Sequence, residues 1–318
     1  MENRLEKRIL GKSNLNVSRL CIGMLSFSIY HSNLSNEAAF KLVQKAYELG
    51  VNFFDTAELY ETYGHIKYIL ESLNNPESVV ISSRSYANTY QEMRKSIEKC
   101  LTETGKSSIE IFGLHEVQKD ESFRLDAMKA LIDAKKEGLV KAISITTHSA
   151  AVTDMAAEQE EIDVIMPLIN CEGIGIKDGS LKDMENAIKK AKERNKGIYA
   201  MKVLAGGHLT ANTKQAIEYA VNNSYIDSVA IGMDSIDELL FNLSIFTGEN
   251  KSTENLKNKK KMLYIEPWCI GCGSCVKACP QNALVIEFGQ AKVLRDKCIN
   301  CGYCIKKCKD FYMKFKMV

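Results

Sequence analysis

EAAFKLVQKAYELGVNFF, residues 37–54, decides how the first 250 residues fold. Ala39, Leu42, Val43, Ala46 and Leu49 recur at helical spacing and mark one apolar face, Gly50 stops the helix, and VNFF reads as a strand that follows at once. Working outward, the same unit repeats: QEMRKSIEKCLTETG before IEIFGL, FRLDAMKALIDAKKEG before LVKAISI, and MENAIKKAKERNKG before IYAMKVL. The glycines Gly50, Gly105, Gly138 and Gly197 are expected just past the helix ends, where the backbone turns left-handed and a Cβ is costly. VSRLCIG near Leu20, SVVIS near Val80, IDVIMPL near Ile165 and SVAIG near Val229 bring the strands to eight, with helices between them. Eight βα units predict an α/β fold in the form of a closed (β/α)8 barrel, the TIM-barrel architecture. A doubly wound nucleotide fold would carry GxGxxG after its first strand, and Gly173, Gly175 and Gly179 have the wrong spacing.

After the last barrel helix, near Phe246, TGENKSTENLKNKKK is polar and lysine-rich and reads as a linker. The expected division is therefore a barrel over residues 1–250, then a linker and a small α+β module over 251–318. Across the 318 residues, 45% hydrophobic and 26% charged side chains allow one large core and a small appendage. The start, MENRLEKRIL, is charged throughout, and no run of 18 apolar residues occurs, so a cytoplasmic protein with no membrane span is expected. The charge is split: residues 251–318 hold 14 basic and 5 acidic residues, +9, so the first 250 carry −7 within the overall +2. A basic module suits docking of an acidic electron-transfer protein, although a solvated lysine face has the same composition. No nucleic-acid partner is expected.

Only Cys21, Cys100 and Cys171 lie in the first 250 residues, while the other eight of eleven cysteines crowd the end, which points to metal and away from disulfides. Cys269, Cys272 and Cys275 follow C-x2-C-x2-C with Cys279 and Pro280 after them; Cys298, Cys301, Cys304 and Cys308 repeat the spacing. Three close cysteines can wrap three irons of a cube, and the fourth ligand must come from elsewhere. Two triplet-plus-one sets leave no straightforward four-thiolate zinc pairing. Residues 261–311 resemble the bacterial ferredoxins that hold two [4Fe-4S] clusters. The resemblance implies that Cys308 completes the set of Cys269, Cys272 and Cys275, and that Cys279 completes the set of Cys298, Cys301 and Cys304. Lys309 stands where the first motif has Pro280. Between the motifs, ALVIEFGQAKVL reads as a hairpin around Gly289. With each loaded cluster at about −2, the module would remain near +5.

GVNFFDTAELY, with LGKSNLNVSRL before it and IEIFGLHEV after it, is similar to the aldo-keto reductases, and the resemblance spans residues 8 to about 246. It implies hydride transfer between a nicotinamide and a small carbonyl or alcohol, with Asp, Tyr, Lys and His at the C-terminal mouth of the barrel. Asp55 closes the second strand, Tyr60 follows in its loop and His115 ends the fourth. Arg84 stands at the end of the third, where the family pattern puts lysine. A carbonyl that accepts hydride builds negative charge on oxygen, so a tyrosine near pKa 10 must become a better acid, and a nearby cation helps. Arginine keeps the charge but shares no proton. Each residue also has a plain structural reading: Asp55 orienting a strand end, Tyr60 as an exposed loop residue, His115 as a satisfied core histidine.

The same resemblance assigns the cofactor to Gly206 and Gly207 in AGGH and to Gly232, Asp234 and Asn242 in IGMDSIDELLFN. Arginine follows the last strand in the NADPH-preferring pattern, whereas Asp234 opposes a 2′-phosphate and favours NADH over NADPH. Thr147 and Met166 fall where the family grips the carboxamide. Lys202 ends the seventh strand, with a phosphate-binding or structural role, or an amine for catalysis. His148 faces the nicotinamide or caps the next helix; Cys171 packs inertly or lines the pocket. The mouth loops supply no charged anchor that names a substrate. Hydride carries two electrons and a cubane takes one; no flavin motif is present, yet flavin is not excluded as the splitting centre. Two functions follow: an iron-sulfur oxidoreductase with the nicotinamide in its barrel and one-electron transfer through two [4Fe-4S] clusters, or an altered barrel serving as a redox-sensing or binding platform, with the clusters as electron port or staple.

Overall fold

The first two strands, β1 (Lys7–Ile9) and β2 (Asn16–Ser18), pair antiparallel. Leu10 and Val17 of this hairpin are buried among the inward side chains Cys21, Phe53, Ile111 and Tyr199, so it closes the N-terminal end of the barrel. The barrel alternates β3 (Leu20–Gly23), α1 (Asn36–Glu48), β4 (Phe53–Asp55), α2 (Tyr63–Ser72), β5 (Val80–Ser85), α3 (Tyr90–Thr104), β6 (Ile109–Leu114) and α4 (Leu125–Lys136). It continues through β7 (Val140–Thr147), α5 (Ala150–Ala157), β8 (Val164–Pro167), α6 (Leu181–Glu193), β9 (Gly197–Ala200), α7 (Thr213–Val221), β10 (Ser228–Ile231) and α8 (Ile236–Thr247). Each strand from β3 to β10 pairs parallel with the next, and β10 returns to β3. This computed structural model describes residues 5–74, 76–120, 122–249 and 261–317. The expected linker at 251–260 lies outside them.

Local chemistry explains most of these boundaries. The Ser35 hydroxyl accepts from the Ala38 amide and caps α1, whose Ala39, Leu42, Val43 and Ala46 are buried. Leu49 departs from the expected face: it follows the last helical residue and is 36% exposed. Gly50, Gly105 and Gly138 take positive φ as expected. Gly197 does not. Asn195, at φ 57°, makes the left-handed turn after α6, and Gly197 opens β9, where a Cβ would lie 2.6 Å from the Leu10 side chain. Asparagine tolerates that conformation, which frees the glycine for close packing against the hairpin.

The small α+β module joins β11 (Lys261–Ile265) to β14 (Met313–Met317) antiparallel, with α9 (Ser274–Lys277) between β11 and the hairpin of β12 (Leu284–Glu287) and β13 (Gln290–Val293). Gly289 turns that hairpin at φ 75°. Leu263, Leu284, Ile305 and Met313 form a core that includes Cys275 and Cys304. The module sits on the C-terminal mouth of the barrel. Trp268 meets Tyr30 edge-on at 5.3 Å, and Lys177 pairs with Asp310 at 3.8 Å. Phe311, 3% exposed, packs with Leu168, Ala205, Leu209 and Ala216. It fills a notch floored by two glycines: a Cβ on Gly206 would lie 2.6 Å from its ring, and one on Gly175 closer still. Among the described residues no helix is long and apolar enough to cross a membrane.

Candidate functional site

Parallel strands bring their C-terminal ends to one mouth, and three of the expected residues meet there. Asp55 ends β4, a short 3-10 turn at Glu58–Tyr60 returns Tyr60, and Arg84 lies near the end of β5. The Arg84 guanidinium donates to both Asp55 oxygens, at 2.6 and 3.0 Å, and the same Nη2 donates to the Tyr60 hydroxyl at 3.0 Å. A planar fork makes this three-way arrangement available. Asp55 also accepts from the Tyr199 hydroxyl at 3.0 Å. Tyr199 was not singled out from sequence; its alternation into the barrel interior is the only signal IYAMKVL offers for it. His115, just past β6, lies edge-on to Tyr60 at 5.9 Å and stacks on Tyr86 at 4.2 Å. Tyr86 is 42% exposed, so solvent reaches the site beside His115.

The electrostatics follow from burial. Tyr60 is pushed above its ordinary value by desolvation, which outweighs the pull of the Arg84 charge. The acidifying effect expected of a neighbouring cation is thus outweighed by burial, and Tyr60 is a protonated donor. His115 is held well below 6.5 by burial first and then by Arg84 and Arg124, so it is neutral. His148 is pulled down to about 3 by burial, although Glu116 opposes the shift. The Nδ1 atoms of both histidines are buried without a hydrogen-bond partner among the described residues.

At the same end of the barrel a cavity of about 950 Å³ opens between the ends of β9 and β10 and the starts of α7 and α8, and no residue of the cluster lines it. Gly207, Gly232, Asp234 and Asn242 line it, and so does Phe315 of the module. Gly207 has nothing within 4 Å of where a Cβ would be, which leaves backbone facing the space. A cavity of that size with glycine walls fits a nucleotide cofactor. The other expected cofactor residues are elsewhere. Gly206 backs onto Phe311, the Thr147 hydroxyl donates to the Val117 carbonyl at 2.8 Å, and Met166 is packed in the barrel interior. Lys202 points to the mouth, 5.4 Å from the centre of the Phe311 ring. Cys171 is half-buried against the same cluster as Phe311.

The module adds side chains that the sequence reading did not assign. Glu266, 2% exposed, forms an ion pair with Lys314 and lies 3.7 Å from His31. It stands three residues before Cys269, as Phe311 stands three residues after Cys308, and that adjacency was the available signal. Among the cysteines, burial raises Cys275, with Cys269 and Cys308 adding to the shift. Burial raises Cys304 to about 11, with Cys279 the first cysteine to add to it. The Gly271 and Ala283 amides donate to the Cys269 and Cys279 sulfurs at 3.5 and 3.3 Å, bonds that suit anionic thiolates of a cluster.

The whole is an oxidoreductase barrel with an iron-sulfur module on its mouth. Residues 19–224 match the aldo/keto reductase family and residues 261–309 match a 4Fe-4S dicluster domain, so the chain belongs to the aldo/keto reductase family. It is 22% identical to L-galactose dehydrogenase of Arabidopsis thaliana, covering 77% of this chain and 89% of that one. To the uncharacterized oxidoreductase YqkF of Bacillus subtilis it is 20% identical, covering 80% and 95%. An aldo-keto reductase from Bacillus halodurans, solved in its holo form, superposes with a TM-score of 0.65 at 17% identity, covering 80% of this chain and 94% of the other.

Proposed function

We propose that the protein is a cytoplasmic, NADH-preferring oxidoreductase that interconverts a small carbonyl and its alcohol in the barrel and exchanges single electrons through two [4Fe-4S] clusters. The observation that carries the reading is the Arg84 fork, which holds Asp55 and the Tyr60 hydroxyl together at the C-terminal mouth, the same end of the barrel at which a nucleotide-sized cavity opens. A nicotinamide, when bound, supplies the hydride. Tyr60 supplies the proton to the carbonyl oxygen, Arg84 aims its hydroxyl and stands in for the lysine of the family pattern, and neutral His115 shapes the face on which the oxygen rests. Gly207, Gly232, Asp234 and Asn242 would hold the cofactor, with Asp234 disfavouring a 2′-phosphate. Cys269, Cys272, Cys275 and Cys308 would hold one cluster, and Cys298, Cys301, Cys304 and Cys279 the other.

Anaerobic fluorescence titration with NADH and NADPH, followed by turnover of uncharged aldehydes, tests this reading. Binding of NADH in preference to NADPH and carbonyl-dependent oxidation are expected. Absence of any nicotinamide binding would favour the redox-sensing platform, a reading that Phe311 seated in the mouth otherwise supports.

A further inference from the structure

Charges at the mouth are matched in pairs. Arg84 is held by Asp55, Lys314 by Glu266, and Lys177 by Glu116 at 2.9 Å. Lys202 breaks the pattern. Its ammonium is half-buried over the Phe311 ring and makes no hydrogen bond or ion pair with any described residue, while the carboxylates that act on it electrostatically, Glu266 and Glu116, already have their own cations. Its backbone is also unusual. Lys202 has φ 60°, and the conformation is braced by the Ala205 amide, which donates to its carbonyl at 2.7 Å, and by the Asn170 amide side chain at 3.5 Å. A long side chain held in the left-handed region costs stability, and such strain concentrates where a side chain must be aimed. On the same Phe311 ring lies His148, 6.1 Å away, with its buried Nδ1 unsatisfied. Burial and the neighbouring Lys314 lower Lys202 to about 8, so it is mostly charged at neutral pH and lacks a counter-ion.

We propose that Lys202 is the anchor for a carboxylate, so that the substrate is a short oxo acid, or the corresponding hydroxy acid, with its carbonyl presented to Tyr60. This rests on the carbonyl-reducing reading of the barrel and supplies the charged anchor that the loop sequences did not disclose. In the reduction the carbonyl carbon gains a hydride from the nicotinamide, which is oxidised, and the oxygen gains the Tyr60 proton, restored from solvent. The carboxylate and Lys202 stay ionised throughout.

The test compares each of two acids, pyruvate and 4-oxobutanoate, with its methyl ester, which keeps the carbonyl and removes the charge. In the full-length, anaerobically purified protein at least one acid should have a KM about 10- to 100-fold below that of its ester, the range of one charge-assisted hydrogen bond. Lys202→Met should raise the KM of that acid at least tenfold more than that of its ester, and Lys202→Arg should restore the difference. Equal KM for acid and ester in the wild type, which needs no variant to fold, overturns the proposal while leaving carbonyl reduction standing. If no carbonyl is turned over at all, the enzymatic reading fails separately, and calorimetry with oxalate decides the anion site: binding lost in Lys202→Met supports it, and no binding to the wild type overturns it.

Discussion

Arg84 does at this mouth what a single amine does not, because its fork reaches both oxygens of Asp55 and the Tyr60 hydroxyl at once. Arg84→Met would leave Asp55 buried with the Tyr199 hydroxyl as its remaining side-chain donor, at a cost of about 3–5 kcal/mol, read as a lower denaturation midpoint. Tyr60→Phe removes one hydrogen bond, about 1 kcal/mol, but should lower carbonyl turnover by roughly two or more orders of magnitude with nicotinamide binding retained. Unchanged turnover would remove Tyr60 from the chemistry. His115 gives a pH prediction with a definite sign. Folding holds it neutral, so below about 6.5 the unfolded chain takes a proton that the folded chain refuses, and stability falls as pH drops through that value. Denaturation at pH 7.5 and 5.5 should show the loss, and His115→Gln should reduce it. Asp55, Tyr60, Arg84 and His115 were expected together from the resemblance to the aldo-keto reductases, because strand ends and the loop after β4 meet at one mouth. Tyr199 was not, since its partner Asp55 lies 144 positions away and no local pattern joins them.

At the level of elements, helices and strands were readable because their periods are local, and the eight βα units fixed closure. The errors have physical causes. Gly197 was misplaced because Asn195 can make the same left-handed turn, and Leu49 because the helix ends one residue before it. Within the module, the two cysteine sets predict about eight irons and eight sulfides per chain after anaerobic purification. Zinc without labile sulfide would end that assignment. Cys272→Ser should bleach one cluster signal in paramagnetic resonance more than the other. Gly206→Ala tests the notch: at φ 60°, with the Phe311 ring 2.6 Å from the new Cβ, it should loosen the module, and faster hydrogen exchange over residues 308–315 would report it.

For the whole molecule, the contacts between barrel and module join residues far apart in the sequence, so the roof over the mouth could not be read from either half. Phe311→Ala should cost about 3–5 kcal/mol of packing and release the module as a proteolysis-sensitive unit, while the barrel keeps its fold. The electron count sets the remaining expectation. Hydride arrives as a pair, each cubane takes one electron, and no flavin motif is present. NADH alone should therefore leave the clusters oxidised on the turnover timescale, whereas a strong one-electron reductant should bleach them. Rapid stoichiometric bleaching by NADH in flavin-free protein, followed by stopped flow, would show a splitting centre in the barrel.

The Phe311 amide donates to the Cys308 carbonyl at 3.3 Å, so the residue that seals the barrel is tethered to a cysteine of the module. This makes the surface of the molecule depend on iron supply. A chain made during iron shortage would finish its barrel, whose strands contain none of these eight cysteines, yet lack the rigid support that seats the plug. Leu168, Ala205 and Leu209 would then face water as a sticky patch. Iron limitation should be felt first as aggregation and degradation of the newly made protein, before any deficit in its chemistry.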